Sequence, residues 1–214
     1  MDNKEIFSRI DHTALKAFTT WDEIKKLCEE AIEHKMASVC VPPSYIKRIK
    51  DTFSDKINVC TVIGFPLGYN STDVKVFEAK KAIEDGACEV DMVINICELK
   101  NKNYDYVENE IRALRQASKG KILKVIVETC YLTEEEKIKL CQMVTDTGAD
   151  YIKTGTGFGT GGASIDDIRL FKQNIGSDVK MKASGGVRTK EDMEAYINEG
   201  CSRIGTSSAI TLIN

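Results

Sequence analysis

The sequence lacks several features that mark proteins outside the ordinary globular class. Its 214 residues include three prolines and two histidines, and its eight cysteines never have the Cys-X-X-Cys spacing of zinc and redox motifs. Apolar runs stay far shorter than the roughly 20 residues of a membrane-spanning helix. The net charge is only −3, whereas nucleic-acid binding requires clustered lysine and arginine. We therefore expect no membrane span and no nucleic-acid partner.

The same composition suits a compact protein with a large core. Apolar residues make up 42% of the chain, and no linker or low-complexity tract divides it, so we expect one domain over residues 1–214. Most cysteines lie in apolar runs, where a free thiol behaves as a small hydrophobic side chain. Residues 1–11 lack the apolar stretch of a secretory signal. We expect reduced cysteines and a cytoplasmic location.

Short runs rich in β-branched residues alternate with longer amphipathic stretches along the chain. The latter begin at capping signals such as Thr20 with Glu23 or Thr133 with Glu136, and several end at glycine. Repeated strand–helix units favour parallel pairing with right-handed crossovers. Eight units predict a (β/α)8 TIM barrel rather than a doubly wound open sheet, which usually has fewer strands. The predicted strands are residues 8–11, 38–41, 58–64, 89–95, 122–128, 150–154, 179–183 and 203–206.

Charged residues occur inside four successive predicted strands, although buried parallel strands are normally apolar. Asp91, Lys124, Lys153 and Lys182 share one alternating face, and apolar residues occupy the other. The charged face should point into the barrel. A structural network of ion pairs would explain the pattern, but three lysines against one or two carboxylates leave an excess of positive charge. That excess favours an anion site or a lysine in its neutral, nucleophilic form.

Lys153 and Lys182 are predicted to lie at the carboxyl ends of adjacent strands. Two ammonium groups about 6 Å apart, at an effective dielectric constant of about 20, repel each other by roughly 2–3 kcal/mol. Such repulsion favours loss of one proton. A neutral lysine in the mouth of a barrel is a candidate Schiff-base nucleophile.

Glycine-rich segments follow the last three predicted strands, at residues 155–159, 185–186 and 205–208. Loops after the seventh and eighth strands of such barrels commonly bind phosphate through backbone N–H groups and a short helix. We expect that helix near Ser207. Each segment alone could equally serve only as a tight turn, but together they predict a phosphate site.

In order and spacing, the motifs resemble those of the deoxyribose-phosphate aldolases, class I aldolases built on the (β/α)8 barrel. The resemblance implies reversible cleavage of 2-deoxy-D-ribose 5-phosphate to D-glyceraldehyde 3-phosphate and acetaldehyde. It also implies a homo-oligomer, a dimer or tetramer, that needs neither metal nor cofactor. The segments that carry it are residues 11–13, 64–68, 89–95, 124–129, 153–158, 182–188 and 205–207.

The resemblance further implies residue roles. Lys153 matches the Schiff-base lysine, Asp91 and Lys182 match a proton-relay pair, and Lys124 matches another active-site lysine. Cys40 matches a small residue that lines the substrate site, but packing in the protein interior would explain a cysteine at this position equally well. The residues that match the substrate and phosphate sites are Asp11, Thr13, Cys40, Thr156, Gly157, Gly185, Gly186, Gly205, Thr206 and Ser207.

Two departures from the family pattern stand out. Gly155 occupies a position that is usually serine, and the last residues lack a tyrosine that assists proton transfer in some members. We expect a water held by Asp91 and Lys182 to supply the enamine proton instead. Of the two histidines, His12 is expected to be a hydrogen-bond partner, and His34 either a cation at the C-terminal end of a helix or a surface residue.

Three alternatives stay open at the level of sequence. The chain could be a Schiff-base barrel aldolase for another sugar phosphate, with unchanged lysines and different pocket residues. It could bind a sugar phosphate without catalysis, in which case Lys153 forms no imine. A structural or interaction protein would expose an apolar patch, and no run in the sequence suggests one.

Overall fold

The computed structural model describes residues 1–213 and contains a closed barrel of eight parallel strands. Neighbouring strands pair in chain order, and β1 pairs with β8 to close the barrel. The predicted fold class is confirmed. The strands are β1 (Ile10–Thr13), β2 (Ser38–Val41), β3 (Val59–Ile63), β4 (Glu89–Val93), β5 (Ile122–Ile126), β6 (Tyr151–Lys153), β7 (Lys180–Ser184) and β8 (Arg203–Thr206).

A helix follows each strand, and several of these helices begin at capping residues that the sequence indicates. Thr20 accepts a hydrogen bond from the Glu23 backbone N–H, and the Glu23 carboxylate accepts one in return from the Thr20 N–H. Thr133 and Glu136 form the same reciprocal pair. The helices are α1 (Asn3–Phe7), α2 (Trp21–Glu33), α3 (Ile46–Phe53), α4 (Thr72–Glu84), α5 (Ile96–Lys100), α6 (Tyr104–Ala117), α7 (Glu134–Asp146), α8 (Ile165–Asn174), α9 (Lys190–Asn198) and α10 (Ala209–Ile213).

The predicted start of the first strand is wrong by two residues. Asp2 caps α1 by accepting a hydrogen bond from the Lys4 N–H, and Ser8 ends this helix. Ser8 and Arg9, which we expected to be extended, instead form the turn after this helix, and β1 begins only at Ile10. The shift leaves Asp11 and Thr13 on the inward face of the barrel.

The apolar core lies between the strands and the helices. The strand residues that alternate with the charged ones are fully buried there, among them Val90, Met92, Val125 and Ile152. The predicted division into an apolar outer face and a polar inner face is therefore confirmed for these strands. Within residues 1–213, none of the helices combines the length and hydrophobicity needed to cross a bilayer.

Three thiols in this core predict how stability depends on alkaline pH. Burial raises the pKa of Cys28, Cys141 and Cys201 to about 12 each. In the unfolded chain a thiol loses its proton near pH 8.5, so above that pH the unfolded state binds fewer protons than the folded state. Stability contributed by each buried thiol is present below about pH 8.5 and is lost towards pH 12. The expected loss is about 1.4 kcal/mol per pH unit for each thiol.

Urea unfolding at several pH values from 8 to 10.5 measures this slope. Each single Cys→Ala variant at the three buried sites should lose stability less steeply than the parent chain above pH 9. Cys97 is exposed, so Cys97→Ala should leave the slope unchanged and serves as the control. Parallel curves for buried and exposed variants would contradict the prediction.

Candidate functional site

Seven charged side chains meet inside the barrel, all of them on the inward face of their strands. All are buried except Arg203, which is partly buried, and they connect strands that are not neighbours. The seven are Asp11 on β1, Glu89 and Asp91 on β4, Lys124 on β5, Lys153 on β6, Lys182 on β7 and Arg203 on β8.

Asp91 is the centre of this network. Its Oδ1 lies 2.8 Å from the Nζ of Lys124, and its Oδ2 lies 2.8 Å from the Nζ of both Lys153 and Lys182. The Cys60 thiol also contacts Oδ1, at 3.2 Å. Burial by itself disfavours a charged Asp91, but the three ammonium groups hold its pKa well below the ordinary value. Asp91 is therefore a carboxylate at neutral pH.

A second group of contacts lies below Asp91. Asp11 forms ion pairs with Lys182 and Arg203 and accepts a hydrogen bond from the Ser38 hydroxyl at 2.8 Å. Glu89 pairs with Arg203 at 2.8 Å and with Lys124 at 2.5 Å. These contacts hold the side chains of Lys124, Lys182 and Arg203 in place.

The lysines beside Lys153 are held in their charged form. Burial by itself lowers the pKa of Lys182, but Asp11 and Asp91 outweigh burial and raise it above the ordinary value. For Lys124 burial also opposes the charge, and the surrounding carboxylates, Asp91 foremost, raise its pKa well above the ordinary value. Lys153 therefore has two permanent positive charges nearby.

The charge balance is closer than the sequence indicated. Glu89 and Arg203 join the network, so four cations face three carboxylates instead of three lysines facing one or two. Lys124 contacts three carboxylates, and Lys182 and Arg203 contact two each. Lys153 contacts only Asp91 among residues 1–213. Of the four cations, it has the fewest carboxylate partners.

A cavity of about 640 Å³ opens at the carboxyl ends of the strands, and Lys153 is the only member of the charged network that lines it. Leu15 and Phe158 supply apolar wall. Of the residues predicted from sequence, those lining the cavity are Thr13, Lys153, Thr156, Gly157, Gly185, Gly186, Gly205, Thr206 and Ser207.

The other predicted residues lie in the barrel interior and do not line the cavity. Asp11, Asp91 and Lys124 expose no surface, and Lys182 exposes 1%. Cys40 is also fully buried and packs with Cys60 and Val62. They lie behind Lys153, on the interior side of the cavity wall.

The glycine loops on one side of the cavity pack backbone against backbone. Gly185 and Gly186 have φ of +84° and +70°, which favours glycine. A Cβ on Gly162 would lie 2.4 Å from the Gly185 carbonyl oxygen, and the Ala163 N–H donates to that same oxygen at 2.9 Å. The predicted short helix after β8 is present as α10. Small residues thus leave open space beside Ser207.

Neither histidine lies in the cavity wall. The His12 Nε2 is 2.8 Å from the Glu30 Oε2, as expected for a hydrogen-bond partner. His34 is half-buried, with its ring centroid 4.4 Å from that of Phe7. Cys40, Cys60 and Asp91 place potential metal-ligand atoms within 4.8 Å of one another. The ammonium groups on Asp91 oppose a further cation there.

Comparison with known proteins agrees with this geometry. The family profile described as "DeoC/LacD family aldolase" matches residues 1–214. The deoxyribose-phosphate aldolase of Clostridium botulinum (strain Alaska E43 / Type E3) is 62% identical over 213 residues, which are 100% of this chain and 96% of that protein. The structure "QR15, an Aldolase" is 41% identical with a TM-score of 0.93, covering 97% of this chain and 94% of its own.

A third relative carries information on assembly. The structure described as a unique tetrameric deoxyribose phosphate aldolase from Aeropyrum pernix is 29% identical, with a TM-score of 0.92 over 99% of this chain and 91% of its own. The family match over the whole length and the high identity of the relatives agree with each other. This chain belongs to the DeoC/LacD family of aldolases.

Proposed function

We propose that the chain is a deoxyribose-phosphate aldolase whose nucleophile is Lys153. The observation that carries the proposal is the position of this side chain. Lys153 alone connects the charged network to the cavity, and it has a single carboxylate partner. Deprotonation of Lys153 leaves three cations against three carboxylates, so the neutral amine needed for attack is also the state in which the network is balanced.

The reaction begins when the Lys153 amine adds to the aldehyde carbon of the open-chain sugar phosphate. Loss of water gives a protonated imine, which withdraws electrons from the C2–C3 bond. Asp91, directly or through a water, takes the proton of the C3 hydroxyl, and the C2–C3 bond breaks to release glyceraldehyde 3-phosphate. The electron pair of that bond remains on the enamine attached to Lys153.

The enamine then takes a proton at carbon, and water hydrolyses the resulting imine to release acetaldehyde and free Lys153. Lys182 shares Asp91 Oδ2 with Lys153, so it lies where it can pass protons between this carboxylate and a bound water. Asp91 and Lys182 together are the proposed proton relay, and Lys124 keeps Asp91 charged and oriented.

Trapping with borohydride tests the nucleophile. Incubation with acetaldehyde and borohydride, followed by intact mass and peptide mapping, should place one ethyl group on Lys153. An adduct on Lys153 with turnover of another sugar phosphate instead of deoxyribose 5-phosphate would change only the substrate. Absence of any adduct in folded protein would favour a sugar-phosphate-binding barrel without catalysis.

The phosphate group is proposed to bind the glycine loops and Ser207. Introduction of a carboxylate there by Ser207→Asp should repel the phosphate, raising KM for deoxyribose 5-phosphate by roughly tenfold or more. KM for free deoxyribose should change less than twofold. Ser207→Asn has nearly the same size without the charge and is the control. Equal effects on both sugars would move the phosphate site away from this loop.

We also propose that the enzyme is a cytoplasmic homo-oligomer. The tetrameric relative from Aeropyrum pernix supports self-association. All eight cysteines are free thiols, which suits a reducing compartment.

A further inference from the structure

Glu128 is a buried carboxylate beside the cavity that the mechanism above does not use. It lies two residues after the end of β5, is only 2% exposed, and has no ion-pair partner among residues 1–213. Its backbone adopts φ +56° and ψ 66°, a left-handed conformation that is uncommon for a residue other than glycine. A buried carboxyl group without a cationic partner needs hydrogen bonds, and a strained backbone at such a place is often linked to function.

The hydrogen bonds that Glu128 accepts come chiefly from a single residue, Thr156. The Thr156 backbone N–H lies 3.1 Å from Oε1 and 3.3 Å from Oε2, and the Thr156 hydroxyl donates to Oε2. The Thr156 hydroxyl oxygen in turn accepts the Phe158 N–H at 3.0 Å. Thr156 and Phe158 both line the cavity, three and five residues after the proposed nucleophile.

The glycines of this loop allow it to lie directly on Glu128. A Cβ on Gly155 would lie 2.7 Å from the Glu128 Oε1, and one on Gly159 would lie 3.1 Å from the same oxygen. Gly155 occupies the position at which the family pattern has serine, and its lack of a side chain leaves room for the Glu128 carboxylate beside the loop. The close packing means that the loop and Glu128 hold one another in place.

These contacts determine the polarity of the Thr156 hydroxyl. A hydroxyl has one hydrogen and two lone pairs. The hydrogen is taken by Glu128 and one lone pair by the Phe158 N–H, so only one lone pair is left for a molecule in the cavity. Thr156 can accept a hydrogen bond from a ligand and cannot donate one.

We propose that Glu128 is a positioning residue that makes Thr156 an acceptor-only contact for a hydroxyl group of the substrate. The inference rests on the proposed function, because it assigns to the sugar phosphate the hydroxyl that Thr156 would accept. It predicts preference for substrates with a hydroxyl at that place over those with a carbonyl or ether oxygen, which have no hydrogen to donate.

Glu128→Gln tests the polarity with almost no change in volume. We expect the amide oxygen of glutamine to take the position of Oε1, because the Thr156 N–H is nearer to that oxygen, at 3.1 Å, than to Oε2, at 3.3 Å. The amide nitrogen then donates to the Thr156 hydroxyl oxygen. Both Thr156 lone pairs are occupied, and its hydrogen turns towards the cavity, so Thr156 becomes a donor.

We expect Glu128→Gln to lower kcat/KM for deoxyribose 5-phosphate by roughly tenfold, the effect of one lost hydrogen bond with an opposing donor in its place. Acetaldehyde has no hydroxyl, so the rate of borohydride trapping on Lys153 should change less than twofold. In a Thr156→Val background, which has no hydroxyl, Glu128→Gln should have little further effect on cleavage. Thermal unfolding of every variant separates these effects from loss of fold.

Equal loss of cleavage and trapping in Glu128→Gln would show a general structural role and overturn the proposal. Retention of full cleavage activity would overturn it as well, as would the same tenfold loss in the Thr156→Val background. Failure of the parent chain to form the Lys153 adduct would instead refute the proposed function, so the two failures are distinguishable.

Discussion

Lys153→Ala should lower the rate of deoxyribose 5-phosphate cleavage by at least roughly 10⁴-fold, because no other lysine of the network lines the cavity. Its fold should survive. Asp91 keeps Lys124 and Lys182 at 2.8 Å each, and removal of one cation leaves equal numbers of opposite charges. Steady-state rates and thermal unfolding measure these two expectations, and borohydride trapping should give no adduct.

Lys180→Ala is the matched control for this substitution. Lys180 stands on the same strand face as Lys182 but is exposed and lies outside the cavity lining. It should retain activity within about twofold, since it contacts no reacting group. Substantial activity or a trapped adduct in Lys153→Ala would transfer the role of nucleophile to Lys182 or Lys124.

Asp91→Asn should be the most destabilising conservative change in the barrel. It leaves three lysines around a neutral amide and raises the excess of cations from one to two. Breaking a buried ion network in this way costs about 3–5 kcal/mol. For a chain of this size the loss corresponds to a fall in Tm of roughly 6–20 °C. Cleavage activity should also collapse, because the proposed base is lost.

An exposed ion pair provides the comparison. Asp51 lies 3.6 Å from Lys47, and both side chains are more than half exposed. Asp51→Asn should therefore change the free energy of unfolding by less than about 1 kcal/mol. If Asp91→Asn were no more destabilising than Asp51→Asn, the network would not have the charge distribution that we assign to it.

The sequence was sufficient for the architecture because strand and helix signals repeat along it. The β-branched runs locate all eight strands, and β2 and β8 have the predicted bounds. Strand ends depend on hydrogen bonding in three dimensions, so several other bounds differ by a residue or two. The predicted bounds of the first strand were wrong because the helix α1 precedes it. Asp2 followed by Glu5 was a local signal for that helix.

The candidate site was predictable where it depends on alternation along a strand. The alternation of inward- and outward-facing side chains places Asp91, Lys124, Lys153 and Lys182 inside the barrel, and the structure brings them together. Arg203 was missed as a member because its partners, Asp11 and Glu89, meet it only after the barrel closes. No pattern in neighbouring residues encodes that meeting.

Glu128 was missed for a different reason. Its alternation agrees with an inward-facing strand residue, but the strand has ended and the left-handed backbone redirects the side chain. The signal available in sequence was the unusual Gly155, which makes sense only beside a bulky neighbour in space. A glycine at a position where serine is expected thus indicates close contact with a side chain that is distant in sequence.

The ion pairs of Arg203 also constrain how the molecule folds. The contact between Arg203 and Asp11 joins residues 192 positions apart, and the contact with Glu89 spans 114. In a barrel that lacked β8, the inner faces of the other strands would carry hydrated charges, which would oppose pairing of its open edges with another chain. Long-range contacts of this kind form late and slow the overall rate. Docking of the last strand is then the step at which these charges leave water and the native state becomes separated from its partly folded precursors.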